Sequence, residues 1–125
     1  MKTHYHLILG VGDGALPRGM HRLNLAYALH HNRRYGLRGR VQFARYGARR
    51  LHDEAELVHA FSYVANNPVR AELCRSPADW PWSSYAGTVG AAGLASFVES
   101  RELRHVFAGC GIDPRAALRT FVEAA

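Results

Sequence analysis

Two histidines near the start of the sequence have the spacing of a shared metal site. His4 and His6 lie in an apolar-rich run over residues 4–9 that predicts a short buried strand. Side chains two residues apart in a strand project from the same face, so both imidazoles could bind one divalent cation. Two imidazoles suit Mn, Zn, Fe, Co or Ni better than Mg, which prefers oxygen ligands unless substrate phosphates supply them. The structural alternative is a pair of polar residues on a solvated strand face.

A tyrosine farther along the chain is a candidate nucleophile. Glu56, His59, Tyr63 and Asn67 are spaced three and four residues apart, so on a helix they share one face. A phenol is almost entirely protonated at neutral pH, so a tyrosine nucleophile needs nearby positive charge or a metal. Asn67 could supply an oxygen ligand one turn on. The alternatives are a boundary tyrosine with a solvated hydroxyl and, for Asn67, a helix C-cap before Pro68.

The charge of the chain favours a nucleic-acid partner. Lysine and arginine together number 16 against 10 acidic residues, and Lys2 is the only lysine. Nine arginines and no acidic residue lie between Gly14 and His52. The planar guanidinium suits phosphate oxygens and stacks on bases, so this segment predicts contact with a nucleic-acid backbone. A GC-rich genome, which also favours arginine, and a merely solvated basic face are the alternatives.

The elements that would position these residues alternate between strands and helices. After the strand over residues 4–9, a helix is predicted to start near Pro17, with Asp13 or Gly14 as its cap, and to end at Gly36. Residues 41–51 alternate partly and predict a second strand. A second helix is predicted from Glu54 to about Asn67, capped by Asp53 and closed by Pro68.

The C-terminal part of the sequence predicts two more helices. One covers roughly residues 97–107, and the other begins at Asp113 and Pro114, a cap followed by a first-turn proline. The order strand, helix, strand, helix and helical tail predicts an α+β layer with few strands.

Length and composition place the chain in a narrow class. A chain of 125 residues that is 48% hydrophobic and 21% charged fits one domain with a modest core, which excludes a multidomain enzyme and a disordered tail. The sequence lacks an apolar run long enough to span a membrane and lacks a leader with a cleavage site. Cys74 and Cys110 lack C-x-x-C spacing. We therefore expect a cytoplasmic protein with no membrane partner.

Four sequence blocks in a fixed order resemble a known family. His4-Tyr5-His6 before Leu-Ile-Leu looks like the His-hydrophobic-His strand of the HUH single-strand endonucleases. It is followed by Arg-Gly-Met-His-Arg-Leu-Asn at 18–24, by Phe-Ser-Tyr-Val-Ala-Asn-Asn-Pro-Val-Arg-Ala at 61–71 and by Trp-Pro-Trp-Ser-Ser-Tyr at 80–85. This succession resembles the REP-associated tyrosine transposases, a branch of the single-tyrosine insertion-sequence transposases.

The resemblance implies metal-assisted strand transfer on single-stranded DNA. In such families, Tyr63 would attack phosphorus and keep a 5′-phosphotyrosine link, while His4, His6 and Asn67 would hold a divalent metal ion, Mg or Mn. The substrate would be a single-stranded DNA hairpin, and relatives occur as monomers and as homodimers. Tyr35, Phe43 and Tyr46 are available for stacking, and a core position is at least as good an interpretation for Phe43. We assign backbone contact to seven arginines of the basic segment: Arg33, Arg34, Arg38, Arg40, Arg45, Arg49 and Arg50.

The resemblance also implies a ferredoxin-like (RRM-like) HUH fold that is truncated at its N-terminus. The family has a strand-helix-strand unit before the His-x-His strand, and His4 follows only Met1, Lys2 and Thr3. We expect a partial catalytic domain over residues 1–90 and a helical tail over 91–125. Three interpretations follow: a tyrosine transposase, a remnant that binds nucleic acid without chemistry, and a fragment without a stable fold.

Overall fold

The computed structural model describes residues 3–41, 44–93 and 95–125, which group into two compact units. One unit contains the described residues up to Ile8 together with Leu51–Ala125, and the other is Leu9–Arg50.

The smaller unit is built on one long helix. α1 spans Ala15–Tyr35 and ends at Gly36, whose φ of 63° is a left-handed conformation that glycine adopts without strain. The Gly36 N–H donates to the Asn32 carbonyl, which closes the last turn. The predicted helix and its C-terminal glycine are confirmed.

The larger unit begins with α2, which spans Glu54–Arg70. The Asp53 carboxylate accepts from the Glu56 N–H at 2.7 Å, and the Glu56 carboxylate accepts from the His52 N–H at 2.9 Å, so the predicted N-cap is confirmed. The predicted end at Pro68 is wrong, because the helix continues to Arg70. Proline removes only one donor near the end of the helix, and the Pro68 ring is buried.

The rest of the larger unit consists of short helices. A 3₁₀ turn covers Pro77–Asp79, α3 covers Tyr85–Thr88, α4 covers Arg101–Val106 and α5 covers Pro114–Glu123. The Asp113 carboxylate accepts from the Ala116 N–H at 3.0 Å, which confirms the predicted start of α5. The helix predicted near residues 97–107 is also present, as the shorter α4.

The core of the larger unit lies where α2, α4 and α5 pack against one another. Ile8 packs against its edge. The buried Asn66 amide joins two of these helices, because its Nδ2 donates to the Val122 carbonyl at 2.8 Å. The residues that form the core are Val58, Phe61, Ala65, Tyr85, Val89, Leu103, Leu118 and Val122.

The predicted α+β, ferredoxin-like (RRM-like) fold is wrong. In residues 3–41, 44–93 and 95–125 the structure has helices and turns but no strand. Residues 4–9, and the part of 41–51 that is described, have no regular secondary structure. A strand exists only when a neighbour accepts and donates its backbone hydrogen bonds, and no described residue of either segment takes part in such a ladder. Tyr5, Leu7 and Leu9 are about half exposed instead of buried.

The division into a catalytic part over residues 1–90 and a tail over 91–125 stays a prediction. In the structure, α4 and α5 of the predicted tail pack against α2. No helix of the described chain has both the length and the apolar character needed to cross a membrane.

Ionisation of the buried Tyr85 hydroxyl makes the free energy of unfolding depend on pH in the alkaline range. Its hydroxyl donates to Glu123 Oε1 at 3.3 Å, and burial, followed by the Glu123 carboxylate, raises its pKa from 10.0 to about 12. The folded state therefore keeps this proton to higher pH than the unfolded state. The stabilising contribution is complete below about pH 10 and is lost between about pH 10 and pH 12.

We expect Tyr85→Phe to lower the free energy of unfolding by about 1 kcal/mol at neutral pH, because it removes this hydrogen bond. The difference between wild type and variant should shrink above about pH 10, because only the wild type loses the contribution. Urea denaturation at neutral and alkaline pH measures both quantities. A difference that stays constant up to about pH 11 would contradict the account.

Candidate functional site

The two N-terminal histidines lie together in the larger unit. The His4 and His6 ring centroids are 5.1 Å apart, with an edge-to-face angle of 89°. The segment is not a strand, yet the spacing of two still brings both imidazoles to one place. The predicted pair of donors is therefore adjacent in the structure.

Ile8 positions this histidine pair against α2. Its side chain is half-buried against the core of the larger unit, whereas those of Tyr5 and Leu7 are about half exposed. Two residues before Ile8, the His6 ring lies edge-to-face with the Tyr63 ring, at 6.0 Å between centroids and an interplanar angle of 79°. The structure thus brings a candidate metal ligand and the candidate nucleophile into contact.

The electrostatic surroundings of His6 favour its neutral form. Desolvation of the ring lowers its pKa, and the neighbouring His4 lowers it further. Neutral imidazole is the form that binds metal ions. The direction of this pKa shift is therefore compatible with the predicted ligand role.

Tyr63 lies on the face of α2 that points away from the core. Its side chain is 50% exposed, while the neighbouring Ser62 is buried. The Arg70 guanidinium carbon is 5.5 Å from the centroid of the Tyr63 ring, a cation–π distance. The sequence motifs did not identify Arg70 as a site residue. Arg70 follows Tyr63 by seven residues, or two helical turns, so this spacing could have predicted that both side chains share one face of the helix.

Asn67 is half-buried on the same helix. Its Nδ2 donates to the Tyr63 carbonyl at 3.1 Å, so Oδ1 is the atom of this amide that could bind a cation. In the described part of the chain no hydrogen bond joins it to His4 or His6, and no group of three or more His, Cys, Asp or Glu residues could hold a metal. The two imidazoles fit a divalent cation as two of its ligands, and Asn67 as the third stays a prediction.

The other residues predicted on this helix face have separate contacts. The His59 ring lies edge-to-face with Phe121 at 5.5 Å between centroids. Glu56 closes the N-terminus of α2, as described above. Neither of these contacts involves the Tyr63 hydroxyl.

The arginines predicted to contact DNA are all exposed and all belong to the smaller unit. Arg33 and Arg34 lie in the last turn of α1, and the loop that follows is held by the Asn32 Nδ2, which donates to the Gly39 carbonyl at 2.9 Å. Arg38 and Arg40 lie in or beside this loop, and Arg45, Arg49 and Arg50 follow in a segment without regular secondary structure. Their binding to DNA stays a prediction.

Two of the three aromatic residues proposed for stacking are described. Tyr35 is 65% exposed, and its ring lies 4.8 Å from that of His31. Tyr46 is also exposed. Phe43 lies outside the described residues.

Comparisons with known proteins add no relative: no protein-family model, no curated protein and no solved structure matches this chain. Function is therefore inferred from the residues and their arrangement.

The exposure of Tyr63 predicts that its hydroxyl contributes little to folding. We expect Tyr63→Phe to change the free energy of unfolding by less than about 0.5 kcal/mol, as is usual for surface substitutions. Urea denaturation measures this difference. A loss of more than about 1 kcal/mol would show that the hydroxyl has a structural role instead.

Proposed function

We propose that the protein is a transposase-like single-stranded DNA endonuclease and strand transferase with Tyr63 as its nucleophile. The observation that carries the proposal is the contact between the His6 and Tyr63 rings, with His4 beside His6 and Arg70 over the Tyr63 ring. It supports the proposal because the sequence motifs alone select these histidines and this tyrosine, which are far apart in the chain. The REP-associated tyrosine transposases are the family that the proposal invokes.

The proposed reaction exchanges one phosphodiester bond for another. The Tyr63 phenol, which is half exposed, loses its proton to solvent water, and its oxygen forms a bond to the phosphorus of a single-stranded DNA backbone. The bond from phosphorus to the 3′-oxygen breaks, and that oxygen takes up a proton to leave as a 3′-hydroxyl. A 5′-phosphotyrosine remains, and attack by a 3′-hydroxyl reverses the sequence without ATP.

His4 and His6 would hold the divalent metal ion that this chemistry requires, with Asn67 Oδ1 as the proposed third protein ligand. When bound, a divalent ion neutralises developing charge on the phosphoryl oxygens. The guanidinium of Arg70 adds a second positive charge beside the Tyr63 ring. Positive charge placed where oxyanions develop stabilises the transition state of phosphoryl transfer.

A non-catalytic DNA-binding remnant is the second candidate. It is favoured by the absence of a β-ladder in the described chain and by the Asn67 amide, which is engaged with its own helix. The exposed arginines of the smaller unit would then bind hairpin DNA without chemistry. The two candidates differ in whether a covalent product forms.

Covalent capture tests the nucleophile. We expect the wild type, with Mn or Mg and a single-stranded hairpin oligonucleotide labelled at its 3′ end, to form a protein–DNA band that survives denaturing electrophoresis. Among the reaction products, a 5′ label should appear in the released fragment and not in the protein–DNA band, because the tyrosine keeps the 5′-phosphate of the other fragment. Tyr63→Phe should abolish the band because it removes the attacking oxygen.

Tyr27→Phe is the matched control, since Tyr27 is 51% exposed and Tyr63 is 50% exposed. This control should form the band like the wild type. The catalytic proposal is wrong if the wild type forms no band or if Tyr63→Phe still forms it. Salt-sensitive hairpin binding without a band would identify the remnant.

Metal binding gives an independent prediction. We expect Mn to bind the wild type and to bind His4→Ala and His6→Ala at least about tenfold more weakly, because each variant loses one of two adjacent imidazoles. Titration of free Mn by electron paramagnetic resonance measures the affinity. His59→Ala, which removes an imidazole that contacts Phe121 instead, should bind like the wild type. Equal affinities across all four proteins would refute the assignment of the ligands.

A further inference from the structure

An open groove lies beside Tyr63 in the larger unit. It has a volume of about 440 Å³, within the range of about 300–1,000 Å³ usual for ligand sites. One wall comes from the C-terminal half of α2, and the other comes from the end of α5. Its lining residues include Tyr63, Arg70, Thr120, Phe121 and Ala124.

One cationic side chain of the groove attracts an anion, although Ala125, the last residue of the sequence, also lines it. Arg70 lines it, and the lining residues include no aspartate or glutamate. The guanidinium carbon of Arg70 lies over the Tyr63 ring, 5.5 Å from its centroid. Because this contact uses the planar face of the guanidinium, the N–H groups of Arg70 can still donate to phosphate oxygens. The groove therefore offers a phosphate contact within reach of the candidate nucleophile.

Aromatic side chains give the groove a surface on which a base can stack. The Phe121 ring contacts two other rings, that of His59 at 5.5 Å and that of Phe107 at 6.1 Å between centroids. The Tyr63 ring, which belongs to the α2 wall, is half exposed. Stacking of bases on such side chains is a main source of affinity in single-strand binding.

We infer that this groove binds one nucleotide of the single-stranded DNA substrate, with its phosphate on Arg70 and its base against Phe121. The inference rests on the proposed function for the identity of the ligand. It assigns substrate contacts to α5, which neither the sequence motifs nor the basic segment of the smaller unit indicated. Binding at this groove requires no metal and no covalent step.

The test measures binding rather than chemistry. Fluorescence anisotropy of a labelled short oligothymidine, at low salt and with a chelator present, gives the dissociation constant for each protein. Arg70→Gln removes the phosphate donor, and Ala124→Glu places a carboxylate in the groove at an exposed position. We expect each to weaken binding by about tenfold or more, the scale of one lost base or phosphate contact.

Each variant has a control with the same change of charge at an exposed position of the larger unit outside the groove lining. These are Arg75→Gln and Ala108→Glu, and both should bind nearly like the wild type. The inference is overturned if the wild type does not bind, if the groove variants bind like the wild type, or if all four variants lose affinity equally.

Covalent capture separates this inference from the proposed function. If the wild type forms the adduct and Arg70→Gln binds DNA as tightly as the wild type, the catalytic proposal is supported and the groove is not a binding site. If both groove variants bind DNA more weakly and the wild type forms no adduct, the groove is a binding site and the catalytic proposal is wrong.

Discussion

The packing of α2 against α4 and α5 is the interaction on which the candidate site depends. Val58, Phe61 and Ala65 bury one side of α2 in this core, which leaves Tyr63 and Arg70 on the exposed side. Because Ile8 packs on the same core, the short segment before it is held beside the same helix. One hydrophobic contact surface therefore sets both the orientation of the candidate nucleophile and the position of the two histidines.

A buried hydrogen bond makes this packing specific. The Asn66 Nδ2 donates to the Val122 carbonyl at 2.8 Å and to the Ser62 carbonyl at 3.2 Å. A buried amide without partners costs about 1–3 kcal/mol, so rotation of α2 relative to α5 would be penalised. Asn67, the next residue, lies farther toward the surface. Two adjacent asparagines thus have different environments, one joining helices and one close to the candidate site.

The helices were predictable because their signals are local. Gly36 ends α1 through its backbone conformation, and Asp53 and Asp113 cap α2 and α5 through hydrogen bonds to residues three positions away. The predicted end of α2 at Pro68 was wrong because burial of the proline ring, a tertiary effect, outweighs the loss of one hydrogen-bond donor. Strands are different, because they need a partner that local sequence does not reveal. The run over residues 4–9 has the composition of a strand but forms no ladder.

The candidate site was predictable only in part, for the same reason. His4, His6 and Tyr63 followed from their residue types and from the resemblance, and the structure places them in one unit. Arg70 lies two helical turns from Tyr63 and could have been found from spacing, although only the structure gives its distance from the ring. The groove wall supplied by Phe121 was not predictable, because it depends on how α5, which lies more than forty residues later in the sequence, docks on α2.

The central claim is that the core holds His6 against Tyr63, and proton NMR tests it most directly. The account predicts nuclear Overhauser effects between the His6 and Tyr63 ring protons in the wild type. It also predicts their loss in Ile8→Ser, while effects between Phe61 and Tyr85 in the core persist. The absence of His6–Tyr63 effects in a wild-type protein that retains the Phe61–Tyr85 effects would contradict it.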